Sequence, residues 1–128
     1  MTDPRRAAAA DAGRDGEAAA ARHLEARGHR ILARGFRTRD GEIDLVSRDG
    51  DTLVFVEVKT RSATSFGRPA EAVDHRKRSR ILRAARVWLH RHGADDDPCR
   101  FDVVEVLARA GAVGVVAHLE DAFREGES

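Results

Sequence analysis

The stretch from Glu42 to Lys59 constrains this chain more than any other. Two apolar runs, Glu42-Ile43-Asp44-Leu45-Val46 and Leu53-Val54-Phe55-Val56, flank Arg48-Asp49-Gly50-Asp51. An Asp-Gly step between apolar runs signals a β-hairpin. Side chains alternate faces along a strand, and the second run is apolar at odd and even positions alike. Such a strand belongs at the centre of a sheet covered on both faces, which points to a layered α/β domain. The same hairpin carries Asp44 and ends on Glu57-Val58-Lys59. Two carboxylates and an ammonium at the end of a buried strand are costly unless they pair with each other or hold a metal.

Glu57 and Lys59 share a face with Leu53 and Phe55. Where Asp44 lands depends on the turn. A two-residue turn at Asp49-Gly50 pairs it with Phe55, and a four-residue loop over 49–52 pairs it with Glu57. A three-residue loop turns it to the other side. Either even-length loop puts Asp44 beside Glu57 and Lys59, with Glu42 on the same face as a reserve ligand. Paired carboxylates repel unless a cation lies between them. Mg²⁺ or Mn²⁺ suits that role, since Mg²⁺ binds through one or two carboxylates and keeps waters and phosphate oxygens as its other ligands. Lys59 could then orient an attacking water or stabilise the charge that develops. A purely structural ion pair remains the alternative on these residues alone.

Arginine supplies almost every cation: the chain has 23 Lys and Arg in total, and only Lys59 and Lys77 are lysines. A compact ammonium differs from a planar guanidinium, so both positions draw notice, although chance would also place two lysines somewhere.

At 128 residues and 14.0 kDa the chain suits one domain with a real core. Residues 1–13 read as a frayed tail and 14–128 as the domain. The lone Cys99 excludes an internal disulfide and a thiolate cluster, which fits a reducing cytoplasm. No apolar run reaches the ~18 residues of a membrane span. A net charge of +1 does not itself call for nucleic acid; the distribution of charge does that work.

The expected element order is α-β-β-β-α-β-β. A helix runs from Arg14 to Arg27. Strands follow at Arg30–Phe36, Glu42–Ser47 and Thr52–Lys59. A long helix from Pro69 to about His92 leads to strands near Phe101–Leu107 and Val113–Leu119. On the first helix Glu17 shares a stripe with Ala20, Ala21 and Leu24, aiming it at the sheet or leaving it as a favourable first-turn charge. On the second helix Lys77 shares a stripe with Ile81, Ala84 and Trp88. Arg76, Arg80 and Arg83 form a basic face beside it, and Arg61 and Arg68 follow the hairpin. This is the footprint expected for a phosphate backbone, or else a solvated surface. His90, His92 and Cys99 meet no zinc spacing.

The pattern Asp44…Glu57-Val58-Lys59 resembles the PD-(D/E)xK nuclease superfamily, which includes restriction endonucleases and archaeal Holliday-junction resolvases. The longer string GEIDLVSRDGDTLVFVEVKTRS, with Phe66-Gly67, the helix bearing Lys77 and the run Arg100 to Val104, is similar to the YraN-like bacterial proteins from Gly16 onward. The resemblance implies a restriction-endonuclease-like αβββαβ core, with a mixed sheet flanked by helices. It also implies a metal-dependent phosphodiesterase site. Asp44 and Glu57 match the metal ligands, Lys59 the catalytic lysine, and Glu17 a helix glutamate that completes such sites. Gly35 departs from relatives that often carry asparagine there. The resulting expectation is an endonuclease using Mg²⁺ or Mn²⁺ on DNA, branched or damaged DNA included, with a homodimer compatible. The alternatives are a nucleic-acid-binding module without chemistry and a protein-interaction module that keeps the trio as an ion pair.

Overall fold

The structure, a computed structural model, describes residues 4–62 and 75–124, with side chains over 14–61 and 75–124. Helix α1 (Pro4–Ala26) precedes β1 (Arg30–Arg37), β2 (Glu42–Asp49) and β3 (Thr52–Ser62). Then come α2 (His75–Arg91), β4 (Cys99–Arg109) and β5 (Ala112–Phe123). The strands form one sheet in sequence order, antiparallel except for the parallel β3–β4 pair. This is the expected mixed sheet, compatible with a restriction-endonuclease-like fold. One expectation is corrected: α1 begins at Pro4, not near Arg14. Part of the stretch read as a frayed tail is helical, in keeping with the high helix propensity of its alanines. The start expected for the second helix at Pro69 lies outside the described residues.

Strand β3 is central and apolar on both faces. Leu53 and Phe55 pack with Ile43, Val46, Ile81, Trp88 and Phe101 on the α2 side. Val54 and Val56 pack with Ala20, Leu24, Leu45, Val104 and Val106 on the α1 side. Each such side chain contributes about 1.5–3 kcal/mol when fully buried. Trp88 meets Phe55 edge-on with ring centroids 6.0 Å apart. Among the described residues, no helix is long and apolar enough to cross a membrane.

The hairpin register pairs Arg48 with Leu53 and Asp49 with Thr52, so Gly50 and Asp51 form the tip. Gly50 has φ 63°, which suits the first central position of a type II′ turn. This is the register expected for the four-residue loop. One step beyond the last pair, Leu45 with Val56, it sets Asp44 opposite Glu57.

The other side of β2 explains how Asp44 leaves the ladder. Ala33 pairs with Val46 and Phe36 with Ile43, and all four pack on the α2 side. Residues three apart normally face opposite ways, so both strands change face between these pairs. Arg34 still pairs with Leu45, which keeps the normal alternation on the α1 side, so the change falls at Gly35 and Asp44. Gly35 has φ 61°, a conformation easy for glycine and next most accessible to asparagine. The departure noted at Gly35 is thus a backbone requirement met by either residue.

The turn between β1 and β2 docks tightly on α2. A Cβ on Gly41 would lie 2.2 Å from the Arg80 carbonyl oxygen, which is backbone and cannot swing away. Gly41→Ala is expected to cost about 1–3 kcal/mol through this overlap, measured as a lower urea midpoint at unchanged m-value. A neutral outcome would show that the turn is not held against α2.

At the far end of the sheet a buried polar network joins four elements. Asp102 is wholly buried. It accepts hydrogen bonds from Arg100 Nε at 3.1 Å, from His118 Nε2 at 2.8 Å and from the Asp121 amide at 2.9 Å. Arg100 reaches on to Asp49 at 3.2 Å. His118 Nδ1 and His23 Nε2 lie 3.1 Å apart. His29 bonds Ser47 Oγ at 3.0 Å. Burial, then neighbouring cations, hold the His23 imidazole below its ordinary pKa. Burial does the same for His29, against the opposing charge of Asp49.

Candidate active site

Asp44 and Glu57 meet where β2 parts from β3. The Val58 amide donates to Asp44 Oδ2 at 2.8 Å, fixing the carboxyl where strand pairing stops. Burial pushes the Asp44 pKa up to about 6; the Val58 hydrogen bond opposes this, and the charge of Glu17 adds to it. Burial and then the charge of Asp44 raise Glu57 to about 7, against the pull of Lys77. Both acids are therefore held above the ordinary carboxylate range, as expected for close like charges in a low-dielectric setting. Glu17 and Glu57 both lie close enough to act on the Asp44 carboxyl.

Helix α1 brings Glu17 there by close approach. A Cβ on Gly16 would sit 2.3 Å from Thr60 Oγ1, so glycine lets this turn of α1 rest on β3. The next residue, Glu17, then reaches Asp44, as the inward stripe implied. From the opposite face α2 sends Lys77, whose Nζ forms an ion pair with Glu57 Oε1. The Glu57 side chain is only 8% exposed, whereas that of Lys77 is 49% exposed. Lys59 lies one pleat beyond Glu57 and is in register with Glu105 of β4. Glu105 also pairs with Arg61 at 3.4 Å. The Arg61 Nε is buried without a hydrogen-bond partner among the described residues.

Two clefts open from this corner. One, of about 280 Å³, is lined by Glu42, Glu57, Arg76, Lys77, Arg80 and Ile81. The other, of about 470 Å³, shares Arg76 and Arg80 and adds Arg39, Asp40, His75, Ser79 and Arg83. Together they make a groove along α2 with an excess of positive charge. Arg76, Lys77, Arg80 and Arg83 are thus gathered where the sequence suggested, while Arg68 lies outside the described residues. Glu42 lines the first cleft, but its carboxylate is engaged by Arg37 at 3.0 Å. Sequence reasoning missed Arg39 and Glu105. The first is brought in by the docking of the β1–β2 turn, the second by the parallel β3–β4 register, and neither carries a local signal. A larger cavity of about 520 Å³ between α2 and the start of β4 is lined by Leu82, Leu89, Cys99 and Phe101 among others. Its one carboxylate, Asp121, is paired with Arg124.

Among the described residues no three His, Cys, Asp or Glu side chains form a ready cage for an ion. Mg²⁺ does not need one, since one or two carboxylates with waters and phosphate oxygens suffice. The donors at this corner are all oxygens, among them the buried Glu57 and half-buried Asp44 carboxyls, whose ionised forms call for a counter-charge. That set fits a hard divalent cation.

A family model described as "Uncharacterised protein family UPF0102" matches residues 16–106. A UPF0102 protein of Symbiobacterium thermophilum is 55% identical over 94 residues, covering 73% of this chain and 80% of its own. One from Nitratidesulfovibrio vulgaris is 47% identical over 123 residues, covering 96% and 88%. A third, from Beutenbergia cavernae, is 54% identical over 101 residues, covering 78% and 86%. None of these names states an activity.

Proposed function

The chain belongs to the uncharacterised protein family UPF0102, the YraN-like group, and on that premise we propose that its Asp44–Glu57 corner is the active centre of a cytoplasmic, divalent-metal-dependent endonuclease acting on DNA. One observation carries the reading. Half-buried Asp44 and buried Glu57, both held above their ordinary pKa, meet at the end of the central strand, and Glu57 lines a cleft with Arg76, Lys77 and Arg80 that runs on toward Arg83. Structural ion pairs also bury carboxylates, but here, on top of burial, the charge of Asp44 raises the pKa of Glu57 and the charge of Glu17 raises that of Asp44, an arrangement that favours a divalent counter-ion.

Asp44 and Glu57 would hold Mg²⁺ or Mn²⁺, with Glu17 as a further oxygen donor. When bound, such an ion lowers the pKa of a coordinated water and stabilises charge on a phosphate under attack. The Val58 amide keeps the Asp44 carboxyl in place. Lys59 lies on the Glu57 face, where its ammonium can orient the attacking water or stabilise the developing phosphoryl charge. Arg76, Arg80, Arg83 and Arg39 neutralise the phosphates on either side, binding without regard to base sequence.

The test is cleavage of duplex, nicked, flapped and four-way DNA with Mn²⁺ or Mg²⁺. Lys59→Ala is expected to lower the cleavage rate by about 100- to 1,000-fold while DNA affinity changes little. Cleavage by Lys59→Ala at the wild-type rate would remove the lysine from the chemistry. A second reading is favoured by the groove of Arg39, Arg76, Arg80 and Arg83, which does not depend on the acids. It is a nucleic-acid-binding module without chemistry, recognised by salt-dependent affinity and no cleavage of any substrate.

A further inference from the structure

Lys77 touches the acid that the proposed metal would also touch. Its Nζ rests on Glu57 Oε1, although half of its side chain lies in solvent. The same side chain lines the cleft with Arg76 and Arg80, the side from which a phosphate would arrive. An ammonium and a hydrated divalent cation cannot occupy one carboxylate oxygen together. Whichever is absent leaves Glu57 needing the other, because burial and Asp44 make its lone charge costly.

We propose that Lys77 is a two-position counter-ion: it neutralises Glu57 in the metal-free protein and moves to a substrate phosphate when a divalent cation takes Glu57. This deepens the metal-dependent reading above and rests on it. The exchange couples the two ligands. Without metal, the Lys77 charge is spent on Glu57, and the acids of the corner repel a phosphodiester. With metal, the acids are neutralised and the ammonium turns outward to the groove. Metal then tightens nucleic-acid binding, and nucleic acid tightens metal binding by the same factor. The long flexible stem of lysine permits the swing; a guanidinium would tend to lock Glu57 through paired hydrogen bonds. That preference accounts for lysine at this position in a chain whose other basic side chains, Lys59 and the histidines apart, are arginines.

The test measures Mn²⁺ affinity from the paramagnetic resonance signal of the free ion, without nucleic acid. It compares the wild type, Lys77→Met and Arg80→Gln. Lys77→Met keeps the stem and removes the competitor, so Mn²⁺ binding should tighten about tenfold, the scale of one charge-assisted hydrogen bond. Arg80→Gln removes one charge from the same cleft without that contact, and should shift affinity less than about twofold, as a solvent-screened charge does. Circular dichroism confirms that each variant is folded. Equal or weaker Mn²⁺ binding by Lys77→Met overturns the exchange alone, as does an equal gain in Arg80→Gln. Failure of every protein to bind Mn²⁺ overturns the metal-dependent reading with it. A second arm follows binding of a duplex with and without Ca²⁺. The wild type should gain affinity with Ca²⁺ and Lys77→Met should lose most of that gain; an undiminished gain overturns the move to phosphate.

Discussion

In EDTA at pH 8, Asp44→Asn is expected to melt roughly 5–10 °C above the wild-type protein, and saturating Mn²⁺ is expected to close most of that gap by stabilising the wild type. Asp44 is raised from an ordinary 3.8 to about 6. Its ionised form is therefore disfavoured in the folded chain by on the order of 2 kcal/mol above pH 7. Asparagine keeps the acceptor for the Val58 amide and removes the charge. It also relieves Glu57, whose own rise to about 7 owes its second-largest part to Asp44.

The pH dependence has a definite sign. A carboxyl whose folded pKa exceeds its unfolded value binds more protons in the folded state. Its favourable term is fully present below pH 4 and is lost as pH rises through 6 to 7. The difference between variant and wild type should thus be small near pH 4 and reach its full size above pH 7. His23 and His29, lowered in the folded state, act oppositely and destabilise as pH falls below 6.5. They are shared by both proteins and cancel in the difference. Mn²⁺ at a hundred times its dissociation constant would add about 2.7 kcal/mol to whichever protein binds it. A gap that ignores pH, or equal stabilisation of both proteins by Mn²⁺, would contradict the site. Equilibrium melting across pH 4–8 with EDTA or Mn²⁺ measures all of this.

The neighbourhood of Asp44 was legible because it is local. The hairpin ties two residues thirteen positions apart by strand alternation and one turn, and the acid, acid and lysine all fall within it. Register chose between two even-length loops, and that choice rested on Gly50 taking the left-handed tip position. Helix faces were legible for the same reason: periodicity alone aimed Glu17 and Lys77 inward. What escaped was non-local. The change of face at Gly35 shows only when β1 and β2 are paired. Glu105 comes level with Lys59 only through the parallel β3–β4 register, which no turn dictates. The Asp102 network gathers residues from α1, β2, β4 and β5, and no local signal marks His23 or His118 as its members.

That network sets up the largest expected loss of stability. Asp102→Ala should cost about 3–5 kcal/mol, a large share of the roughly 5–15 kcal/mol that holds a domain of this kind together. Asp102 is wholly buried, and its carboxylate satisfies Arg100, His118 and the Asp121 amide at once. Truncation leaves a mostly buried guanidinium facing Asp49 at 3.2 Å, and an imidazole without its carboxylate acceptor. Asp121 has φ 52°, a strained conformation that the hydrogen bond from its backbone N–H to Asp102 helps to hold. The network also pins β4 along its length. A slip of β4 by one residue would turn Asp102 to the α2 side and take Glu105 out of register with Lys59, so this cluster also bears on the charges beside the candidate site. If the cost arises from an orphaned cation, removing that cation as well must recover part of it. Arg100→Met combined with Asp102→Ala should therefore fall short of the sum of the two single losses by at least about 1 kcal/mol. Urea denaturation of the four proteins gives this coupling directly. Strict additivity, or a loss below 1 kcal/mol for Asp102→Ala, would mean that Arg100 and His118 find other partners and that the sheet register is held by apolar packing alone.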